Sequence, residues 1–510
     1  MSEAAGNAAD YFIARHLREG RGDRLAFVDP RRSLTYAELD AASARFAAGL
    51  RNARIERERR IALVMLDTID FPIAFWGALR AGVIPVPINT LLPADITGYI
   101  VRDSRAAALF VSAPLLEPLK PAARRIGRVV VSNPDGNDGG FGDFLAGNPP
   151  PMAECSPDEV AFWLYSSGST GAPKGVRHVH ASLKATADTY AANILNLGPD
   201  DVVFSAAKLF FAYGLGNSMT FPLAAGASTV LLPDRPTPDA VLDVMRRRHP
   251  TVFAGVPTLY ASLLAHPELG PGAGSDRLRL CISAGEPLPE HVGLRWRDKT
   301  GCDILDGIGS TEMLHIFLSN RPGDIRYGST GKPVPGYEAR ILDDTGNEVP
   351  DGEAGELVVR GPSAADGYWN QRARSRLTFR GEWTHTGDTY SRDAEGYYRY
   401  AGRKDDMLKV GGIWVSPFEV EEALIAHQAV LEAAVVGHPD GDGLIKPKAF
   451  VVLQESAQDE DRVALCETLQ ASVKERIGVW KYPRWIEFAE ALPKTATGKI
   501  QRYKLRGEQA

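Results

Sequence analysis

Tyr165-Ser166-Ser167-Gly168-Ser169-Thr170-Gly171-Ala172-Pro173-Lys174-Gly175 gathers three glycines, four Ser and Thr hydroxyls and one lysine into eleven residues. Glycine lets backbone N–H groups turn toward an anion without a Cβ in the way. Hydroxyls add rotatable donors, and Lys174 adds positive charge. With the apolar run Val160-Ala161-Phe162-Trp163-Leu164 before it, this pattern predicts a strand feeding a loop that binds a nucleotide polyphosphate. It is not a Walker loop. Counted from Gly168, that pattern needs Gly, Lys and Ser or Thr where this chain has Pro173, Lys174 and Gly175. A flexible Ser/Gly linker is the competing reading. The β-prone run before the loop and His178-Val179-His180 after it argue against that.

Further signatures follow in order. They are Ser283-Ala284-Gly285-Glu286-Pro287, Asp306-Gly307-Ile308-Gly309-Ser310-Thr311-Glu312, Thr384-His385-Thr386-Gly387-Asp388, Tyr400-Ala401-Gly402-Arg403-Lys404-Asp405-Asp406 and Pro493-Lys494-Thr495-Ala496-Thr497-Gly498-Lys499-Ile500. Together with the first run they span most of the chain. The set resembles the adenylate-forming superfamily of acyl- and aryl-CoA synthetases, adenylation domains and luciferase, and its wording is nearest the benzoate–CoA ligases.

That resemblance implies ATP, Mg²⁺ and coenzyme A acting on a small aromatic carboxylic acid. A carboxylate attacks the α-phosphorus of ATP, pyrophosphate leaves, and the acyl-adenylate then acylates coenzyme A. A benzoate-type acid has a pKa of about 4 and needs no general base at neutral pH. The obstacle is one anion approaching another, so catalysis rests on charge neutralisation and alignment. By resemblance, Lys499 bridges the attacking carboxylate and the α-phosphate, although Lys494, Lys499 and Lys504 alone read as a solvated basic tail. Thr311 and Glu312 lie against the phosphates, with Glu312 holding magnesium; by itself Ser-Thr-Glu is also a helix-cap pattern. Ser166, Ser167, Gly168, Ser169, Thr170, Gly171 and Lys174 cradle the phosphates. Gly285, Glu286, Pro287, Asp306, Gly307 and Ile308 form the adenine slot, and Asp388 and Arg403 hold the ribose.

For the acid, Ala212-Tyr213-Gly214 resembles the floor of an aryl pocket, with Gly307 beside it and His315 near the carboxylate end. Without the resemblance both segments read as core. Gly411 and Gly412 resemble the loop lining the pantetheine tunnel, and Asp405 the hinge about which a small domain turns. A stand-alone aryl adenylation enzyme that loads a carrier protein is the alternative function.

The elements that must position these residues are legible in outline. At 510 residues the chain exceeds one core. Strand and helix patterns alternate: a helix from Tyr36 through Leu50, a strand 61–65, a helix 71–81, and a strand 83–87 with edge-type prolines. Strands recur at 107–111, 228–232 and 251–256, which predicts layered α/β subdomains with largely parallel sheets. From Gly328 short strands such as 338–342 and 356–360 suggest a small β-barrel. A helix at 418–426 and strands at 431–436 and 449–453 suggest a compact α+β unit. The expected fold is α/β, and the family resemblance implies a large N-terminal domain, residues 1–404, of layered α/β subdomains plus a small β-barrel, and a small mobile α+β C-terminal domain, residues 405–510. A net charge of −6 without a basic stripe argues against nucleic acid. No apolar run approaches the ~20 residues of a membrane helix, and the N-terminus lacks a basic-then-apolar leader. Four scattered cysteines read as reduced core residues of a cytoplasmic enzyme. Monomer and homodimer both stay open.

Overall fold

Thr35 opens a helix through a reciprocal cap: its hydroxyl accepts the Glu38 N–H, and the Glu38 carboxylate accepts the Thr35 N–H. The helix, Tyr36–Asn52, buries Leu39, Phe46, Ala47 and Leu50 and packs on the helix Asp70–Arg80. Contact is close because position 77 is glycine, where a Cβ would fall 2.6 Å from the Phe46 Cβ. The computed structural model describes residues 6–124, 126–133, 139–168, 171–403, 406–410, 413–441, 444–479, 481–494 and 500–507. The chain divides into two compact units, residues 1–339 with 359–385, and residues 340–358 with 386–510.

The first unit is built on the expected strand–helix alternation. One sheet is wholly parallel, in the order Ile84–Pro87, Arg60–Val64, Ala108–Ser112, Val129–Ser132. Pro85 and Pro87 do lie on its edge strand, where a missing N–H removes no ladder bond. A second sheet has nine strands, with parallel Ile304–Gly309, Leu280–Ser283, Val252–Gly255, Val202–Ser205, Ser228–Val230 and Leu25–Val28 at its centre. Antiparallel strands flank them: Ile316–Ser319 and Lys332–Pro333 on one side, Ser33–Thr35 on the other. The register sets Ser205, Ala254, Ser283 and Asp306 near one level at the carboxyl ends, where open α/β sheets hold their ligands. A core of Phe204, Val241, Met245, Phe253, Leu263, Trp296 and Ile304 fills one face. Two wide helical turns, Ala187–Leu195 and Gly216–Thr220, have π-helical hydrogen bonding that the sequence did not announce.

The small β-barrel expected after Gly328 corresponds to a five-stranded sheet of Glu338–Leu342, Ala354–Arg360, Phe379–Arg380, Trp383–Arg392 and Tyr398–Arg403. In the second unit, Val430–Pro439 pairs antiparallel with Ile445–Leu453, which runs parallel to Trp485–Phe488. The helix Pro417–Ile425 is capped by Ser416, whose hydroxyl accepts the Glu419 N–H. It packs with Arg462–Ile477 over Val435, Val451 and Leu469. This is the expected α+β unit. Residues 404 and 405 lie outside the described set. Cys155, Cys281 and Cys302 are buried, Cys466 is half-buried, and all are free thiols. Among the described residues no helix is long and apolar enough to cross a membrane.

Candidate active site

Strand Val160–Gly168 runs antiparallel to Gly171–Val179, with Tyr165 opposite Gly175, Ser166 opposite Lys174 and Gly168 opposite Gly171. The glycine- and hydroxyl-rich run is therefore the end of a β-hairpin. Ser169 and Thr170 lie outside the described residues, as does the Ser167 side chain.

Lys174 and Ser166 meet Glu312, 146 positions beyond Ser166. Glu312 Oε1 accepts the Tyr368 hydroxyl at 2.8 Å and the Ser166 hydroxyl at 3.4 Å, and Lys174 Nζ stands 3.8 Å away. Lys174 also donates to Tyr368 Oη at 3.4 Å and lies 4.4 Å from that ring's centre. Tyr368 was not foreseen. It sits on the short strand Gly367–Tyr368, which pairs with Arg177 and Val176 of the hairpin, and no local pattern marks it.

The turn carrying Thr311 and Glu312 is pinned from several sides. His178 Nε2 donates to the Thr311 carbonyl at 2.8 Å. Burial lowers His178 to about 4, so the ring is neutral at pH 7 and its proton must sit on Nε2 to make that bond. The Glu312 carbonyl accepts Ala365 N–H at 2.8 Å, and the Met313 carbonyl accepts the Ser363 hydroxyl at 2.7 Å. Among the described residues no three His, Cys, Asp or Glu side chains cluster to hold a metal ion. A single, largely buried carboxylate such as Glu312 is nonetheless what magnesium requires when substrate phosphates and water complete its oxygen shell.

The motifs expected to hold adenine occupy the carboxyl ends of neighbouring parallel strands. Gly285 has φ +95°, a left-handed conformation that favours glycine, and it is followed by Glu286 and Pro287. Asp306 is buried, and desolvation pushes its carboxyl up to about 8. Gly307 and Gly309 face the antiparallel strand Ile316–Ser319 so closely that a Cβ would fall 2.9 Å from the Leu318 carbonyl oxygen and 2.5 Å from that of His315. Ile308 pairs with Leu318 between them.

Ala212, Tyr213 and Gly214 open a short helix, Ala212–Leu215. The Tyr213 hydroxyl donates to the carbonyls of Gly255 and Ile282, 3.1 Å from each. His315 donates from Nε2 to the Tyr213 carbonyl at 3.3 Å and lies against the rings of Tyr190, Tyr213 and Phe221. Burial lowers it to about 3, so it is neutral at pH 7. Gly216 makes room for it, since a Cβ at 216 would fall 2.3 Å from His315 Cδ2. Tyr190 is a pocket candidate the sequence reading missed.

In the second unit, Asp388 and Arg403 are direct cross-strand partners, and Arg403 Nη1 lies 2.8 Å from Asp388 Oδ1. Strands Leu408–Val410 and Ile413–Val415 form a hairpin whose turn residues Gly411 and Gly412 are outside the described set. Asp405 and Lys499 are outside it too. On either side of the undescribed residues 495–499, Lys494 bridges to Ile500 and Gln501 N–H donates to the Pro493 carbonyl at 2.8 Å.

Two family profiles match: the AMP-binding enzyme profile over residues 14–369 and the AMP-binding enzyme C-terminal domain over residues 419–499. The chain belongs to this family of AMP-binding enzymes and is an adenylate-forming acid–thiol ligase, as its motifs implied. It is 52% identical over 507 residues to the 4-hydroxybenzoate–CoA/benzoate–CoA ligase of Rhodopseudomonas palustris, covering 98% of this chain and 94% of that one. A solved benzoate CoA ligase from Burkholderia xenovorans superimposes with a TM-score of 0.91 at 51% identity, covering 98% of this chain and 99% of that one. An anthranilate CoA ligase, AuaEII, solved with anthranoyl-AMP, also gives 0.91, at 42% identity and with 99% and 98% covered.

Proposed function

We propose that this enzyme activates benzoate, or a benzoate carrying an amino or hydroxyl group, and transfers the acyl group to coenzyme A. In the first half-reaction the carboxylate attacks the α-phosphorus of ATP, forming the acyl-adenylate and releasing pyrophosphate. In the second, the thiol attacks the acyl carbon, forming the thioester and releasing AMP. The observation that carries the aromatic reading is the setting of His315, three positions after Glu312: a neutral ring among Tyr190, Tyr213 and Phe221, with Gly216 in place of a side chain. Flat rings and bare backbone suit a planar acid.

On this reading Lys174, the Ser166 hydroxyl and the hairpin glycines bind phosphate, and Ala212, Tyr213, Gly214, Gly307 and His315 bind the acid. Gly285, Glu286, Pro287, Asp306 and Ile308 hold adenine, and Asp388 with Arg403 holds ribose. Glu312, with Thr311 beside it, would hold magnesium, whose charge offsets that of the phosphate oxygens. The roles of Lys499 in adenylation, Gly411 and Gly412 in thioester formation, and Asp405 as the pivot between them rest on the family resemblance.

Pyrophosphate release and thioester formation, followed with benzoate, 4-hydroxybenzoate, 2-aminobenzoate and hexanoate, test the proposal. Turnover is expected with one or more aromatic acids and free coenzyme A, and little with hexanoate. Equal turnover of hexanoate would refute the aromatic assignment. Adenylation without any transfer to coenzyme A would favour the carrier-protein alternative.

A further inference from the structure

Asp67 lies just past the carboxyl end of strand Arg60–Val64 and is 3% exposed. Its carboxylate accepts one N–H, that of Leu209, at 3.2 Å and 3.3 Å to its two oxygens. Among the described residues it forms no ion pair. The cation that acts on it, Lys208, spends its ammonium on the Leu232 and Asp234 carbonyls, the latter at 2.6 Å. Burial drives the Asp67 carboxyl up to about 6 and the Lys208 ammonium down. Such a carboxylate is costly to bury, because one amide N–H offsets only part of its desolvation. Strongly perturbed groups of this kind gather at functional sites.

The segment that Asp67 grips leads directly to the aryl residues. Phe211 N–H donates to the Lys208 carbonyl at 3.0 Å, closing a turn. Gly214 presses on that same carbonyl, and a Cβ there would fall 2.0 Å from its oxygen. At the far end the Tyr213 hydroxyl is fixed on two carbonyls. The backbone from Lys208 to Gly214 is thus one tight piece, anchored by Asp67 where it begins and by Tyr213 where it ends.

We propose that Asp67 is a positioning residue for the aromatic-acid pocket, setting through the Leu209 amide where Ala212, Tyr213 and Gly214 present themselves. This inference rests on the assignment of those three residues to the acid. Asp67→Leu and Asp67→Asn separate placement from stability. The Leu variant, which leaves the buried Leu209 N–H without its acceptor, is expected to lower the thermal midpoint while the KM for benzoate rises about tenfold and the KM for ATP stays within about twofold. The Asn variant, whose amide oxygen still accepts the Leu209 N–H, is expected to restore the benzoate KM to within about threefold of wild type. A Leu variant that fails to fold, leaves the benzoate KM unchanged, or shifts both KM values alike would overturn the inference. Ala212→Leu, run in parallel, tests the underlying assignment. If it leaves the benzoate KM unmoved, the pocket reading fails; if it raises that KM while Asp67→Leu does not, only the role of Asp67 fails.

Discussion

Glu312 receives two hydroxyls and faces an ammonium, and the distances rank them. The Tyr368 hydroxyl, at 2.8 Å, is the strong bond; Ser166 at 3.4 Å and Lys174 at 3.8 Å are looser. A hydrogen bond to a charged group contributes about 1.5–3 kcal/mol. Tyr368→Phe keeps the ring under Lys174 but removes that bond, so kcat/KM for ATP should fall roughly tenfold to a hundredfold. The KM for the aromatic acid should hold. Steady-state kinetics with each substrate varied in turn will check this, and an unchanged kcat/KM for ATP would detach Tyr368 from the nucleotide site. The loop, Lys174 and Glu312 stood out in the chain because each lies in a compact motif. Tyr368 and Tyr190 could not, because only strand and helix packing brings them near, and an isolated tyrosine has no signature.

Among the elements, the antiparallel return of Ile316–Ser319 on Ile304–Gly309 sets a tight constraint. At position 309 an added methyl would meet the His315 backbone at 2.5 Å, a contact that no rotamer change relieves. Gly309→Ala is expected to cost about 1–3 kcal/mol, seen as a lower midpoint in denaturant titration. A variant as stable as wild type would mean that the two strands can part without penalty. The parallel strands were legible because doubly covered strands read as short apolar runs between helices. The hairpin form of the glycine- and hydroxyl-rich run was hidden, since glycine and serine mark a turn without fixing whether a strand or a helix leaves it. The π-helical hydrogen bonding of Ala187–Leu195 and Gly216–Thr220 was hidden too, since no residue pattern in either segment announces it.

Across the whole molecule, four histidines of the first unit are held neutral by burial. His16, His178 and His180 are lowered to about 4, and His315 to about 3, from an ordinary 6.5. In the unfolded chain each takes a proton as pH falls through 6.5, whereas in the folded chain it does so only near 4 or below. The unfolded state therefore binds more protons in that window, and stability is full above pH 6.5 and drops as pH falls toward 4. The thermal midpoint should decline between pH 6.5 and 4.5, the four histidines outweighing the raised carboxyls of Asp306 and Asp67, which act in the opposite sense, and His180→Gln should flatten the decline. An identical pH slope in that variant would refute the contribution of His180.

The contact between Gly216 and His315 reaches beyond this one chain. Because a single methyl at 216 would collide with the imidazole, the two positions are not free to drift independently. Any lineage that gains a side chain at 216 must trade the histidine for something slimmer or reshape the turn around it. Aligned relatives should therefore display correlated substitutions at this pair, a trace of shared space left in their divergence.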